Sequence, residues 1–356
     1  MALVAVTLEP LGPWSGWAES DTLAGALCWA AWMLGQDPAA LATSEELAVS
    51  SLLPVLLRSG QPVVRFYPLP AGTVPEKTAP DTVAAEEVKV LKKVRWLSEK
   101  LWGRVATGVS TAGQLLGQTG QAGGPVRVGE LLLTREEASR AGLVERSDGH
   151  WQFPDGGTAG SAYDTADATH NQIDRLTGSV GEGLLFFERE LVFRRGHFGF
   201  WLASALPAGR LLPLLAVLGD TGIGANRSTG RGHFRILHHE PLELRLPVPP
   251  AGRRAGFMLL GRMLPSADER ERFTGDMRPL SWTLHYVQGI YEKRYSADPA
   301  LARRPVRVFA AGTVFEGHPP ANRVVGRHAE VGHTDGHAVY HCGRTVVAPL
   351  VLEANR

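Results

Sequence analysis

Hydrophobic positions along this 356-residue chain change their period several times, and each change predicts an element. Leu3 to Leu8 alternates loosely and stops at Pro10, which predicts an opening strand. Gly12, Pro13 and Gly16 punctuate the turn that follows. Ser20 or Asp21 then caps a helix on which Leu23, Leu27, Ala30 or Ala31 and Leu34 recur at helical spacing until Gly35 ends it. Pro38 opens a second helical stretch that reaches Leu57, and Val63 to Leu69, bracketed by Pro62, Pro68 and Pro70, predicts an edge or terminal strand. Glu86 to Arg104 is amphipathic, with Trp96 and Trp102 interleaved among Lys89, Lys92, Lys93, Arg95, Lys100 and Arg104. Such a stretch is either a basic, aromatic-bearing face for RNA or a partner, or a solvated face over buried tryptophans, and ordinary charge patterning favours the second.

The middle of the chain loses its period. Thr107 to Pro125 and Ser147 to Gly160 are rich in turn-forming residues and read as loops. Thr165 to Gly183 crowds His170, Asn171, Asp174, Arg175 and Thr177 into a short polar span. Leu184 to Phe193 and Phe198 to Ser204 read as two strands joined by residues 194–197. An apolar segment, Leu211 to Leu218, precedes the glycine-rich GDTGIGANRSTGRGHFR at 219–235, and Phe234, Ile236 and Leu237 start a strand beyond it. Val248-Pro249-Pro250 reads as a linker into a second, mostly β unit, with apolar runs at Phe257 to Leu260, Leu284 to Tyr291, Pro305 to Phe315 and Tyr340 to Leu352. The pattern predicts an α+β protein of two units, 1–247 and 248–356, rather than a doubly wound parallel sheet.

Composition narrows this only slightly. Apolar residues make up 44% of the chain, enough for sizeable cores, and the formal net charge is +1, so any nucleic-acid surface must be local. The two cysteines, Cys28 and Cys342, form no CxxC pair, and Cys28 falls on an apolar helical pattern. With no basic leader and no apolar run near membrane-spanning length, a cytoplasmic protein is expected.

Candidate chemistry concentrates in the glycine-rich stretch. Gly222, Gly224 and Gly230 permit unusual backbone conformations, and Arg227, Ser228 and Arg231 offer donors for a phosphate backbone. From the residues alone, a phosphate cradle and a solvent-exposed turn are equally good readings. The loop follows a helix and precedes a strand, the reverse of the dinucleotide-binding order. His333, His337 and His341 recur every fourth residue, but Gly332, Gly336 and Gly343 turn the segment into a hairpin, and no metal site or cofactor is expected. His170 or His233 could serve as a general acid or base, and Asp164, Asp167 and Asp174 are formal candidates for RNA cleavage, but no catalytic pairing accompanies them. Trp14, Trp17, Trp29 and Trp32 read as core or subunit-interface residues.

Six stretches in order, SDTLAGALCWA at 20–30, LKKVRWLSEKL at 91–101, THNQIDRLTG at 169–178, GDTGIGANRSTGRGHF at 219–234, VFAAGTVFEG at 308–317 and EVGHTDGHAVYHCGRTVVAPL at 330–350, resemble the RAMP-superfamily fourth subunit of type III-A (Csm) CRISPR effector complexes. The resemblance runs nearly end to end. It implies two tandem RRM-like, ferredoxin-like domains with inserted loops. It also implies a non-enzymatic role in which the repeat-derived 5′ handle of the crRNA is gripped, and docking to the large polymerase-like subunit and the repeated backbone subunit. A RAMP-type endoribonuclease processing precursor crRNA is the alternative. Carried onto this chain, the resemblance assigns RNA contact to Asp21, Lys92, Lys93, His170, Asn171, Arg175, Gly222, Gly224, Arg227, Ser228, Gly230 and Arg231, with 165–183 as a thumb-like projection.

Overall fold

The structure is a computed structural model that describes residues 2–45, 47–76, 89–147, 149–154, 163–173, 176, 180–193, 197–243, 249–289, 303–334 and 337–353, without the side chains of 171–173, 180–186, 334 and 337. Strand Ala2–Pro10 lies between Phe234–Pro241 and His197–Ser204, and His197–Ser204 pairs in turn with Leu47–Val49 and Leu53–Arg58. All these pairings are antiparallel. Helix Ser20–Met33 follows the first strand and helix Ala208–Thr221 follows His197–Ser204. The succession strand–helix–strand–strand–helix–strand, with the last strand beside the first, is a ferredoxin-like α+β unit.

Side-chain alternation on these strands builds two cores. Val6 and Leu8 stand opposite Phe200 and Phe198 in the register, and all four are buried against Leu23, Leu27, Leu214 and Leu218 of the two helices. Residues of the other parity, Ala5, Trp201 and Ala203, face a second core shared with Leu97, Leu101 and Trp102 and with Met258, Leu260, Val346 and Ala348 of the C-terminal sheet. A long insertion separates the second and third strands of the unit. It first extends the sheet through Gln61–Pro68, Trp96–Ser98, Leu131–Leu133 and Val126–Val128. It then sends out a separate hairpin, Asp164–Ile173 paired with Val180–Val192.

The C-terminal sheet repeats the strand order: Pro279–Ser281, Val314–Glu316, Arg254–Leu259, Thr345–Leu352, with Val324–Val325 added at the far edge. A short helix, Ala267–Glu271, follows its first strand. Where a second helix would complete the pattern, the chain forms the hairpin His328–Thr334 and His337–Cys342. Among the described residues no helix is long and apolar enough to cross a membrane.

Several expected elements differ. The helix beginning at Pro38 stops at Thr43, and Leu47–Val49 and Leu53–Arg58 are strands. Every residue from Leu47 to Leu56 is buried, Ser50 and Ser51 included, so no alternation separates helix from strand; pairing with His197–Ser204 decides it. Within 107–125, expected to be loop, Ala112–Gly117 is a helix closed by a reciprocal Thr111–Gln114 capping box, and Leu115 and Leu116 enter the core. The strand 180–192 pairs with 164–173 rather than with its neighbour in sequence, 197–204. Trp96 and Trp102 are buried, as the solvated-face reading of 86–104 requires.

Candidate nucleic-acid interface

The glycine-rich loop has a clamped neck and an open tip. Helix Ala208–Thr221 ends where Gly222, at φ +76°, donates its N–H to the Leu218 carbonyl at 3.0 Å. The chain returns at Gly232, whose carbonyl accepts from Ile223 N at 3.0 Å and whose N–H donates to Pro13 O at 3.0 Å. Leu11 N donates to His233 O at 2.9 Å, so the neck is sewn to the turn after the opening strand. Gly232 has no room for a side chain: a Cβ there would stand 1.9 Å from the Ile223 carbonyl oxygen.

Beyond the neck, Gly224 and Asn226 take left-handed conformations (φ +86° and +59°), and Arg227–Thr229 forms a short 3₁₀ turn. Thr229 and Gly230 spend their N–H groups on the carbonyls of Asn226 and Arg227. Among the described residues, the N–H groups of Gly224, Ala225, Asn226 and Ser228 have no hydrogen-bond partner. Successive N–H groups in a turn of mixed handedness form a concave site suited to anions.

Side chains fasten this tip to the inserted hairpin. Arg231 donates through Nε to Glu190, and its Nη2 lies 3.1 Å from His170 Nε2. Asn226 Nδ2 donates to Glu188 at 2.5 Å. Glu188 and Glu190 are two residues apart on Val180–Val192 and so share a face of the hairpin. His170 Nε2 stands 3.7 Å from Glu188 and 3.8 Å from Glu190. Ligand atoms of His170, Glu188 and Glu190 lie within 4.8 Å of one another, but the Arg231 guanidinium already supplies the positive charge there. Glu190 and Arg231 are 7% and 14% exposed, so the pair is largely desolvated and acts as a brace. Arg227 turns the other way, its Cζ 5.5 Å from the centre of the Trp29 ring. His233 Nε2 lies 3.0 Å from the Arg227 carbonyl.

The structure therefore brings together His170, Gly222, Gly224, Arg227, Ser228, Gly230 and Arg231. Asn171 is described by its backbone alone, on the hairpin beside His170, and Arg175 lies outside the described residues. Lys92 and Lys93 are exposed in a turn before strand Trp96–Ser98, within the sheet extension. Trp29, Glu188, Glu190 and Asn226 join the site without having been anticipated. The Glu-x-Glu spacing at 188–190, matched in parity to a partner histidine, was the available signal once 164–192 is taken as one hairpin.

Asp21 belongs to a separate network of ion pairs and hydrogen bonds. It faces Arg262 Nη1 at 3.2 and 3.3 Å, and Ser20 Oγ accepts from Arg262 N at 2.8 Å. Glu19 accepts from Ser51 at 2.6 Å and lies 3.8 Å from Arg262. His341 Nδ1 is 3.9 Å from Asp21. This network ties the start of the first helix to the loop after strand Arg254–Leu259 and to strand His337–Cys342 of the C-terminal hairpin. Asp21→Asn should cost about 2 kcal/mol, because the mostly buried Arg262 loses the nearer of its two counter-charges and keeps only Glu19 at 3.8 Å; equilibrium urea unfolding reads this directly. Burial holds the His341 pKa below its ordinary 6.5 despite the pull of Asp21, and burial does the same to His197. Both groups take up a proton more readily in the unfolded chain, so stability is complete above that pH and declines as pH falls below about 6.5. The thermal midpoint should drop between pH 7.5 and 5.5, and His341→Gln should shrink that drop.

No protein-family model matches the sequence, and no curated protein matches it. Solved structures do match, over their full lengths. A chain of the Csm3–Csm4 subcomplex of the type III-A CRISPR-Cas interference complex aligns over 100% of both chains at a TM-score of 0.60 and 13% identity. Chains of the Csm1–Csm4 cassette in complex with cA4 and with pppApA align over 100% of both chains, at TM-scores of 0.54 and 0.52 and 17% identity. The chain shares its fold with these CRISPR-complex subunits. What is shared is the whole architecture: a likeness over the full length of both chains takes in the ferredoxin-like unit, its insertion and the C-terminal sheet together.

Proposed function

We propose that the chain is a non-catalytic, RNA-binding subunit of a cytoplasmic type III-A CRISPR interference complex. In this reading residues 1–247 and 248–356 are its two domains. The loop 222–232 holds the repeat-derived 5′ handle of the crRNA, and the body docks a large polymerase-like subunit to the repeated backbone subunits. The observation that carries the reading is the unpartnered N–H groups of Gly224, Ala225, Asn226 and Ser228, presented at an arginine-bearing tip. The fold likeness supports it, since both kinds of assembly that the chain resembles contain Csm4, one with Csm3 and the other with Csm1. Asp21 is read in this proposal as an internal clamp, and Arg231 as the brace that holds the loop in shape, leaving Arg227 and the backbone amides as phosphate contacts.

The deciding experiment is co-expression with the neighbouring genes. The full chain should elute with a large polymerase-like subunit and an RNA of defined 5′ end; an RNA-free monomer in that setting overturns the reading. In binding assays with single-stranded RNA, Arg227→Ala should weaken affinity and make the slope of log K against log salt shallower by about 0.7, the value for one lost phosphate contact on a single strand. An unchanged slope would remove Arg227 from the phosphate path.

A further inference from the structure

Helix Ser20–Met33 is apolar on its outward face as well as its inward one. Leu23, Ala24, Leu27, Ala30 and Ala31 fill the core, and Asp21 is the helix's one charged residue. A helix facing solvent ordinarily carries polar residues on its outer side. Here, beyond Thr22 in the first turn, that side carries Gly25, Trp29, Trp32 and Met33. Arg227 lies over Trp29, whose ring is 4.9 Å from that of Trp32 at 34°. Trp32 and Met33 are each 48% exposed.

We propose that Trp29 and Trp32, with Arg227, form a stacking platform for an unpaired nucleobase of single-stranded RNA, Trp32 providing the open end of the stack. The proposal rests on the RNA-binding reading above and adds the element that takes a base rather than a phosphate. Three observations favour a nucleobase over an apolar protein surface. A guanidinium already lies over one member of the aromatic pair, Trp29, as in arginine-assisted base stacking. The unpartnered N–H groups at Gly224, Ala225, Asn226 and Ser228 flank Arg227 in the chain, so a phosphate held there leaves its base one arginine side chain from the indoles. Cations lie beside the patch: Arg227 over Trp29, and Arg210 bonded at 3.2 Å to Gln36, four residues beyond Trp32. The neighbouring carboxylate, Asp37, is engaged in capping the next helix through Ala39 N at 2.9 Å.

The test uses the full chain, a fluorescein-labelled single-stranded RNA of mixed sequence, and an abasic ribose-phosphate strand of equal length and charge. Trp32→Ala should weaken binding of the base-bearing strand about 5- to 150-fold, the range for one lost base–aromatic stack, and leave the abasic strand unaffected. Trp32→Phe keeps an aromatic surface and should restore most of the loss, which separates stacking from a folding defect. Equal losses on both strands, or no loss on either, overturn the platform while leaving RNA binding intact. A Trp32→Ala chain that binds RNA normally but no longer co-purifies with its protein partners also overturns it, and gives the patch to a protein. A wild-type chain that binds neither strand overturns the RNA-binding reading itself, and the platform with it.

Discussion

Gly232→Ala is expected to destabilise the protein by about 3 kcal/mol or more, well above a typical single substitution. Two independent effects meet at this residue. Its φ of +74° lies in the left-handed region, which an alanine enters at a cost of about 1–2 kcal/mol. The added Cβ would also fall 1.9 Å from the Ile223 carbonyl oxygen and 2.8 Å from the Ile223 nitrogen, and these are backbone atoms that cannot rotate away. To make room, the neck must give up the bond from Ile223 N to Gly232 O, the bond from Gly232 N to Pro13 O, or both. Ile223 is buried in the helix-side core, so opening the neck also disturbs packing. Gly224→Ala is the matched control. Its φ of +86° carries the same conformational cost, but a Cβ there meets nothing within 4 Å. Chemical denaturation of the two variants should separate them by at least about 1.5 kcal/mol, the steric part alone. Equal losses would mean that the neck is not the rigid part of the loop.

How far the sequence went depends on which forces place each residue. The opening strand and helix were legible because residues that end elements bound them: Pro10, Gly12 and Pro13 close the strand, and Leu23, Leu27 and Ala31 return at helical spacing until Gly35. The loop at 219–235 was legible because positive-φ positions select glycine, and those glycines stand in the chain for anyone to read. Leu47–Arg58 was not, since both faces of those strands are covered and the alternation disappears. The hairpin 164–192 was hidden for the opposite reason: it stands apart from the main sheet, and the polar residues of Asp164–Asn171 fall on both of its faces. Its loss concealed the partner of Arg231. An arginine beside four glycines reads as a phosphate ligand until Glu190, 41 positions earlier, is seen to face it. The same holds for Asp21, whose counter-charge Arg262 is 241 positions away.

Arg231→Ala should therefore behave as a stability variant first and a binding variant second. Removing one member of a largely buried ion pair leaves the other charge without solvent or partner, at a cost of about 3 kcal/mol. Glu190, 7% exposed, would be that stranded charge, with Glu188 close by to repel it; the remaining donor, His170, is 3.8 Å away. The expected result is a lower midpoint in urea together with weaker RNA binding, because the loop tip loses its hold on the hairpin. The double variant Arg231→Ala/Glu190→Gln distinguishes bracing from gripping. It removes the stranded charge, so if Arg231 is a brace most of the stability should return, while binding recovers only as far as the loop regains its shape. If Arg231 instead contacts phosphate directly, the single variant should melt like the wild type, and its loss of affinity should appear as a salt slope about 0.7 shallower that the second substitution leaves untouched. A denaturation curve and a salt titration on four proteins, the wild type, Arg227→Ala, Arg231→Ala and the double variant, thus assign the loop's two arginines, with loss of Arg227 lowering the slope and loss of Arg231 lowering the stability.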